Sequence, residues 1–146
     1  MTTAVEWERN HAGNLKAMAE AMAENDPYLA DEILNKIVPY PEGENVHVES
    51  STDNTQAGRL VEVFDPVSNR IDNPNGPAVI EGNGTRKWFR AGLKHNASGP
   101  AVIKLTGEIK YYYLGTQCKT AAELDEIVAK AERHYENSTH IHNVAD

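Results

Sequence analysis

Between residues 76 and 115 one unit is written twice. Gly76-Pro77-Ala78-Val79-Ile80 returns 23 residues later as Gly99-Pro100-Ala101-Val102-Ile103, and the same shift carries Gly84 to Gly107, Lys87 to Lys110 and Gly92 to Gly115. Aromatic falls on aromatic as well: Trp88 meets Tyr111 and Phe89 meets Tyr112, while Arg90 meets Tyr113 and widens the aromatic strand of the second copy. Each copy reads as a short strand, a glycine turn and a second strand. Asn83-Gly84 suits a type I′ turn, with Thr106-Gly107 in the corresponding place, and Ala91-Gly92 and Leu114-Gly115 turn the chain again. One hairpin is marginal alone, but stacked copies pool their apolar faces, so the repeat predicts a twisted antiparallel meander. A weaker earlier copy is expected at Gly58-Arg59-Leu60-Val61-Glu62-Val63-Phe64, followed by a longer, irregular connection from Asp65 to Asn75.

Helical patterns flank the repeat. Trp7, His11, Leu15, Met18 and Met22 recur at three- and four-residue spacing, predicting an amphipathic helix from about residue 4 to 24. Asp26 then caps a second helix with Pro27 in its first turn, where the missing N–H is harmless, and Leu29, Ile33 and Ile37 form its expected apolar stripe. Pro39-Tyr40-Pro41-Glu42-Gly43 stops it. Val46-His47-Val48 and Leu60–Phe64 are candidate strands, separated by the polar loop Ser50–Gln56. At the other end Thr120 and Glu123 form a capping box, followed by Leu124, Ile127, Val128, Ala131 and Tyr135 on one helical face. Past Glu136 a frayed tail is expected. The fold class is therefore α+β: an antiparallel β-meander of repeated hairpins, with an N-terminal helical hairpin and a C-terminal amphipathic helix packed on it. The chain of 146 residues is expected to be a single domain, 1–146, with a helical segment 1–45, the repeat sheet 46–119, the last helix 120–136 and a tail 137–146.

Gly-Pro-Ala, a turn glycine, a Trp/Tyr-Phe/Tyr pair, a second glycine and a histidine together resemble the MORN-like repeats of small bacterial and bacteriophage proteins. The matching residues are Gly76, Pro77, Ala78, Gly84, Trp88, Phe89, Gly92 and His95, then Gly99, Pro100, Ala101, Gly107, Tyr111, Tyr112 and Gly115, with no histidine in the second copy. The match is strong over about a quarter of the chain, and the helical flanks lie outside it. The resemblance implies a β-meander with a binding or scaffolding role and no activity; fold alone does not decide function.

Composition narrows the function classes. Acidic ends enclose a mildly basic middle: residues 1–45 carry nine acids against three bases, 46–119 seven against nine, and 120–146 six against two, for a total of −8. A lone cysteine, Cys118, allows no internal disulfide, and no apolar run approaches the roughly 20 residues that span a bilayer. A cytoplasmic protein without membrane contact is expected.

No Gly-x-Ser-x-Gly, His-Glu-x-x-His, Walker or dinucleotide fingerprint occurs, so neither a catalytic set nor a cofactor is assigned. Cys118 near a helix N-terminus is the one argument for a reactive thiol. His134 with His140-Ile141-His142 is the one for a metal, and it requires an extended segment. The residues expected to meet a partner are Arg86, Trp88, Arg90, His95, Tyr111, Tyr112 and Tyr113. Alternation places Arg86, Trp88 and Arg90 on one face and Lys87 and Phe89 on the other, and one of these faces must be core. The leading expectation is a non-enzymatic protein-interaction module, in its most concrete form a phage protein that blocks a host factor. The rivals are a nucleic-acid or nucleotide binder using the aromatic-basic strands, and a small enzyme of unrecognised type.

Overall fold

The computed structural model describes residues 2–42, 45–50 and 59–145. Helix α1, Ala4–Ala23, begins where the Thr3 hydroxyl accepts the Glu6 amide at 3.2 Å. It ends on Asn25, whose φ of 57° lets the Asp26 N–H reach back to the Ala21 carbonyl at 2.8 Å, a left-handed helix stop. Helix α2, Pro27–Ile37, starts at once, with Asp26 accepting the Leu29 amide at 3.1 Å. The two pack as a hairpin.

Ile33 and Ile37 of the expected α2 stripe pack against the core, but the fully buried stripe lies one residue further on. Ala30, Leu34 and Val38 are buried, whereas Leu29 is 41% exposed. Two adjacent apolar triads share this helix, and contact with Met18 and Ala21 of α1 selects which is fully covered.

Strands β1 (Val46–Ser50), β2 (Arg59–Val63), β3 (Val79–Ile80), β4 (Arg86–Lys87), β5 (Phe89–Arg90), β6 (Leu93–Lys94), β7 (Val102–Ile103), β8 (Ile109–Tyr113) and β9 (Thr116–Cys118) follow in chain order. Seven form one antiparallel sheet ordered β1-β2-β3-β4-β7-β8-β9, and β5 and β6 pair as a separate ribbon. Of the polar loop expected at Ser50–Gln56, all but Ser50 lies outside the described residues, as does Gly58.

Register makes two cross-strand rows. Val61, Ile80, Arg86, Ile103 and Ile109 run side by side, and the pleat turns them toward the helices. There Ile103 and Leu105 join Met18, Ala21, Ala30, Leu34 and Val38 in the core, each large member contributing about 1.5–3 kcal/mol by leaving water. Glu62, Val79, Lys87, Val102 and Lys110 form the opposite row, where Val79 and Val102 stay buried between longer charged neighbours.

The repeat is exact in its hydrogen bonds. Ala78 N–H donates to Lys87 O as Ala101 N–H does to Lys110 O, both at 2.8 Å, and Gly84 and Gly107 close the first turns at φ 89° and 88°. These turns are not the expected type I′, because Asn83 keeps a negative φ. Only the glycine is left-handed, the Gly84 N–H reaching Glu81 O and the Glu81 N–H reaching Thr85 O, a turn closed by a glycine bulge. The type I′ geometry belongs to Ala91-Gly92 and Leu114-Gly115, where both central residues have positive φ.

The stretch 65–75 also proves to be part of the array. Phe64 bridges Ile71, and Val63 N–H donates to Ala78 O at 2.8 Å as Trp88 N–H does to Ala101 O. The weak earlier copy is therefore a real repeat with a longer turn.

Helix α3 runs Ala121–Ala145, well beyond the expected end at 136. Thr120 caps it by accepting the Glu123 amide at 3.1 Å, while Glu123 reaches back to the Lys119 amide at 3.3 Å rather than to Thr120. No glycine or proline interrupts 137–145, so the helix has no local reason to stop there. Its first turns pack Ala121 and Leu124 against Ala4, Tyr111 and Cys118.

Candidate functional site

The seven residues expected to meet a partner separate into two groups. Arg86 and Tyr111 lie in the interior. Arg86 is fully buried beneath α2, where Nη1 donates to Asp31 Oδ1 at 2.5 Å and to Gly84 O at 2.7 Å, and the guanidinium lies 4.8 Å from the centre of the Tyr40 ring. Tyr40 donates to the other Asp31 oxygen at 2.9 Å; burial first and this bond second raise its pKa. Tyr111, 5% exposed, donates to Glu8 of α1 at 2.8 Å; burial first and this carboxylate second push its phenol pKa up. Neither side chain can form a partner surface, because the face carrying Arg86, Trp88 and Tyr111 is the one the helices cover. Trp88 is half-buried at the core margin.

The other four residues gather at the tips of the second turns. Arg90, with a side chain 52% exposed, holds Nε 3.4 Å from Asp72 Oδ1. His95 meets Tyr113 edge to face at 4.8 Å, and the Lys94 ammonium stands 5.0 Å from the centre of the Tyr112 ring. Two leucines complete the ridge: Leu93 is 48% and Leu114 51% exposed, and Leu93 packs against the Gly115 backbone.

A second set of equivalent contacts builds these tips. The Ala91 amide donates to Asp72 Oδ2 and the Leu114 amide to His95 Nδ1, each at 2.9 Å and each across 19 residues. Asp72 and His95 are thus the same cap in successive repeats. Accepting that bond requires an imidazole with Nδ1 unprotonated; desolvation, and then the Arg90 charge, lower the His95 pKa accordingly. One step further along, Asn73 and Asn96 each donate Nδ2 to the carbonyl of the proline four residues on, Pro77 at 2.9 Å and Pro100 at 2.8 Å. Asp72/His95 and Asn73/Asn96 obey the 23-residue shift in the sequence, a signal the Gly-Pro-Ala pattern leaves unused.

Between the helices and these loops lies an open cleft of about 440 Å³ walled by Trp7, Tyr40 and Trp88 on one side and Asn73, Asn75, Asn96 and Ser98 on the other. Two of the three wall asparagines, Asn73 and Asn96, already have their side-chain amides bonded within their own loops.

The features that argued for chemistry or nucleic acid fare differently. Cys118 is 2% exposed, and burial, with Glu123 nearby, raises its pKa; the helix N-terminus does not win. Residues 140–142 lie within α3, so the backbone there is not the extended segment that the His-x-His reading requires. Among the expected bases, Arg86 faces Asp31, Lys87 faces Glu81 at 2.9 Å, Arg90 faces Asp72 and Lys104 faces Glu108 at 3.0 Å. Pairing with carboxylates weakens the attraction these strands could offer a phosphate backbone. His11, the polar member of the α1 stripe, donates to its own helix at Trp7 O, 2.7 Å away. Among the described residues, no helix is long and apolar enough to cross a membrane. No family model matches the chain, and neither a curated protein nor a solved structure matches it.

Proposed function

We propose that this chain is a non-enzymatic protein-interaction module of the MORN-like type, and that it binds its partner through the turn ridge Arg90, Leu93, Lys94, His95, Tyr112, Tyr113 and Leu114. One observation carries the reading. Leu114 sits at φ 45°, in a turn position that favours asparagine or glycine, and presents about half of its side chain to water. A leucine there costs about 1–2 kcal/mol of backbone strain and gains little burial. Strain retained at an exposed apolar residue is characteristic of contact sites. Aromatic, apolar and basic side chains around it are the usual anchors of a protein interface. The resemblance to phage proteins makes a cytoplasmic bacterial host factor the partner to seek, with an apolar surface bordered by acids to meet Arg90 and Lys94.

The test places a benzophenone photocrosslinker at Leu93 in the full chain, with Tyr28 on α2, 71% exposed, as control position. The expected result is one host protein captured in bacterial lysate from Leu93 and not from Tyr28, and lost with Leu114→Asn, which does not lower the melting temperature. Equal capture from both positions, or none from Leu93, overturns the assignment.

A further inference from the structure

We propose that the open end of the repeat array is a strand-addition site for an extended segment of a partner protein that reproduces the Gly-Pro-Ala-Val-Ile pattern of this chain. The argument starts from what the array does internally. Strand β4 is paired on both sides: Arg86 and Lys87 meet β3 of their own repeat and, across the other edge, β7 of the next. Strand β8 occupies the equivalent place in the second copy. Ile109 and Lys110 meet β7 of their own repeat, and on the far side pairing with β9 begins only at Tyr111. Where a third Gly-Pro-Ala-Val-Ile would lie against Ile109 and Lys110, the chain instead enters α3 at Ala121, whose first turns pack on Tyr111 and Cys118 without adding a strand. Among the described residues no strand takes that position.

The backbone there is oriented for an added strand. Lys110 O accepts the Ala101 amide, so Lys110 points its backbone toward β7, and alternation directs the N–H and C=O of Ile109 to the open side. The same alternation in the first copy sends Trp88 N–H to Ala101 O, the bond the next repeat supplies. Beside this edge is a groove of about 260 Å³ lined by Glu8, Ile109, Lys110, Tyr111, Gln117 and Cys118, among others.

The occupant is defined by the array it would extend. Val102 lies in the outward row directly beside Lys110 and Lys87. The occupant residue in that position would neighbour Lys110, so a β-branched residue fits and an acidic one adds a cross-strand ion pair. Lys110 at the edge also works against indiscriminate pairing, since charged edge residues discourage it. Main-chain bonds would supply affinity and the alternate side chains specificity, as in other strand-addition complexes.

This site is separate from the turn ridge, and its test is independent of it. A fluorescent peptide with the sequence of residues 97–104, Ala-Ser-Gly-Pro-Ala-Val-Ile-Lys, is titrated into the full-length chain and followed by anisotropy. Expected are saturable binding, at least tenfold weakening when the isoleucine backbone nitrogen is methylated, no binding of the reversed sequence, and about two- to fivefold tightening when the peptide valine is replaced by glutamate. Hydrogen exchange should slow at the Ile109 amide on binding, and Leu114→Asn should leave the titration unchanged. Absence of saturation at millimolar peptide overturns the proposal, as does binding indifferent to methylation, or protection confined to the β1 edge. A concentration-dependent dimer of the chain that excludes the peptide overturns the partner assignment and gives the edge to a second copy.

Discussion

Removing Asp31 should damage this protein more than removing the arginine it neutralises. Arg86 sits with no exposed side-chain surface, and of its donors Nη1 is satisfied by Asp31 and Gly84 while Nε and Nη2 have no partner among the described residues. Asp31→Ala leaves that cation buried with one carbonyl and the Tyr40 face, and stranded buried charges cost about 3–5 kcal/mol. Arg86→Met instead removes the cation itself. It loses a charge-assisted bond of about 1.5–3 kcal/mol and a cation–π contact of up to about 2, and it recovers about 1–3 kcal/mol for each donor that is no longer buried without a partner. The net is expected within about 1 kcal/mol of zero. Because the second repeat places Ile109 in the equivalent row position, an apolar side chain is compatible with this lattice. Urea unfolding measures both. With a slope of about 2 kcal/mol/M, Asp31→Ala should lower the midpoint by about 1.5–2.5 M and Arg86→Met by less than about 0.5 M. The double variant should resemble Arg86→Met alone, giving a coupling of about 2 kcal/mol or more. Tyr40→Phe isolates the hydroxyl that Asp31 also holds. If Asp31→Ala costs less than about 1 kcal/mol, or less than Arg86→Met, the reasoning from buried charge is wrong.

Four other outcomes follow from the geometry. His95 has a folded pKa below its ordinary 6.5, so its contribution is present above that value and is lost as the pH falls from 6.5 through the folded pKa. His95→Asp, which copies Asp72, should flatten the stability difference between pH 7.5 and pH 5, and an unaltered slope would show that the imidazole cap is immaterial. Gly107→Ala should cost at least about 2 kcal/mol by urea unfolding, since a Cβ there lies 2.6 Å from the Leu15 carbonyl oxygen at φ 88°; Gly92→Ala, at φ 83° with open space around it, should cost less, and equality of the two would deny the helix contact. Ala91→Asn relieves a positive-φ alanine of 51° and should raise the melting temperature by several degrees, worth about 1 kcal/mol in calorimetry. Cys118, buried and with its pKa raised, should react with a disulfide reagent far more slowly than a free thiol in native buffer and at the ordinary rate in denaturant.

Much of the architecture is set by constraints that act over a few residues, and these are legible in the chain. Asp26-Pro27 and Thr120 start helices because capping needs only a side-chain oxygen and nearby amides. The repeat at 76 and 99 dictates equivalent strands because equal sequences meet equal neighbours when they stack, and even Asp72/His95 and Asn73/Asn96 were open to reading by the same shift. Residues 137–145 show the limit of local rules, since polar composition suggested a frayed end while the absence of a breaker let α3 continue.

What tertiary structure alone decided is which side of the sheet the helices cover. Alternation separates Arg86, Trp88 and Tyr111 from Phe89 and Tyr112, yet it is symmetric between the two faces. The choice came from long-range partners, Asp31 across 55 residues and Glu8 across 103, which drew a charged arginine and a tyrosine inward. Packing on Met18 and Ala21 likewise covered Ala30, Leu34 and Val38 more fully than Ile33 and Ile37, while Arg90, His95, Tyr112 and Tyr113 were left beyond the helices at the turn tips. Pattern along a chain specifies which residues share a face; only packing, through the contacts each face can make, determines which face meets water.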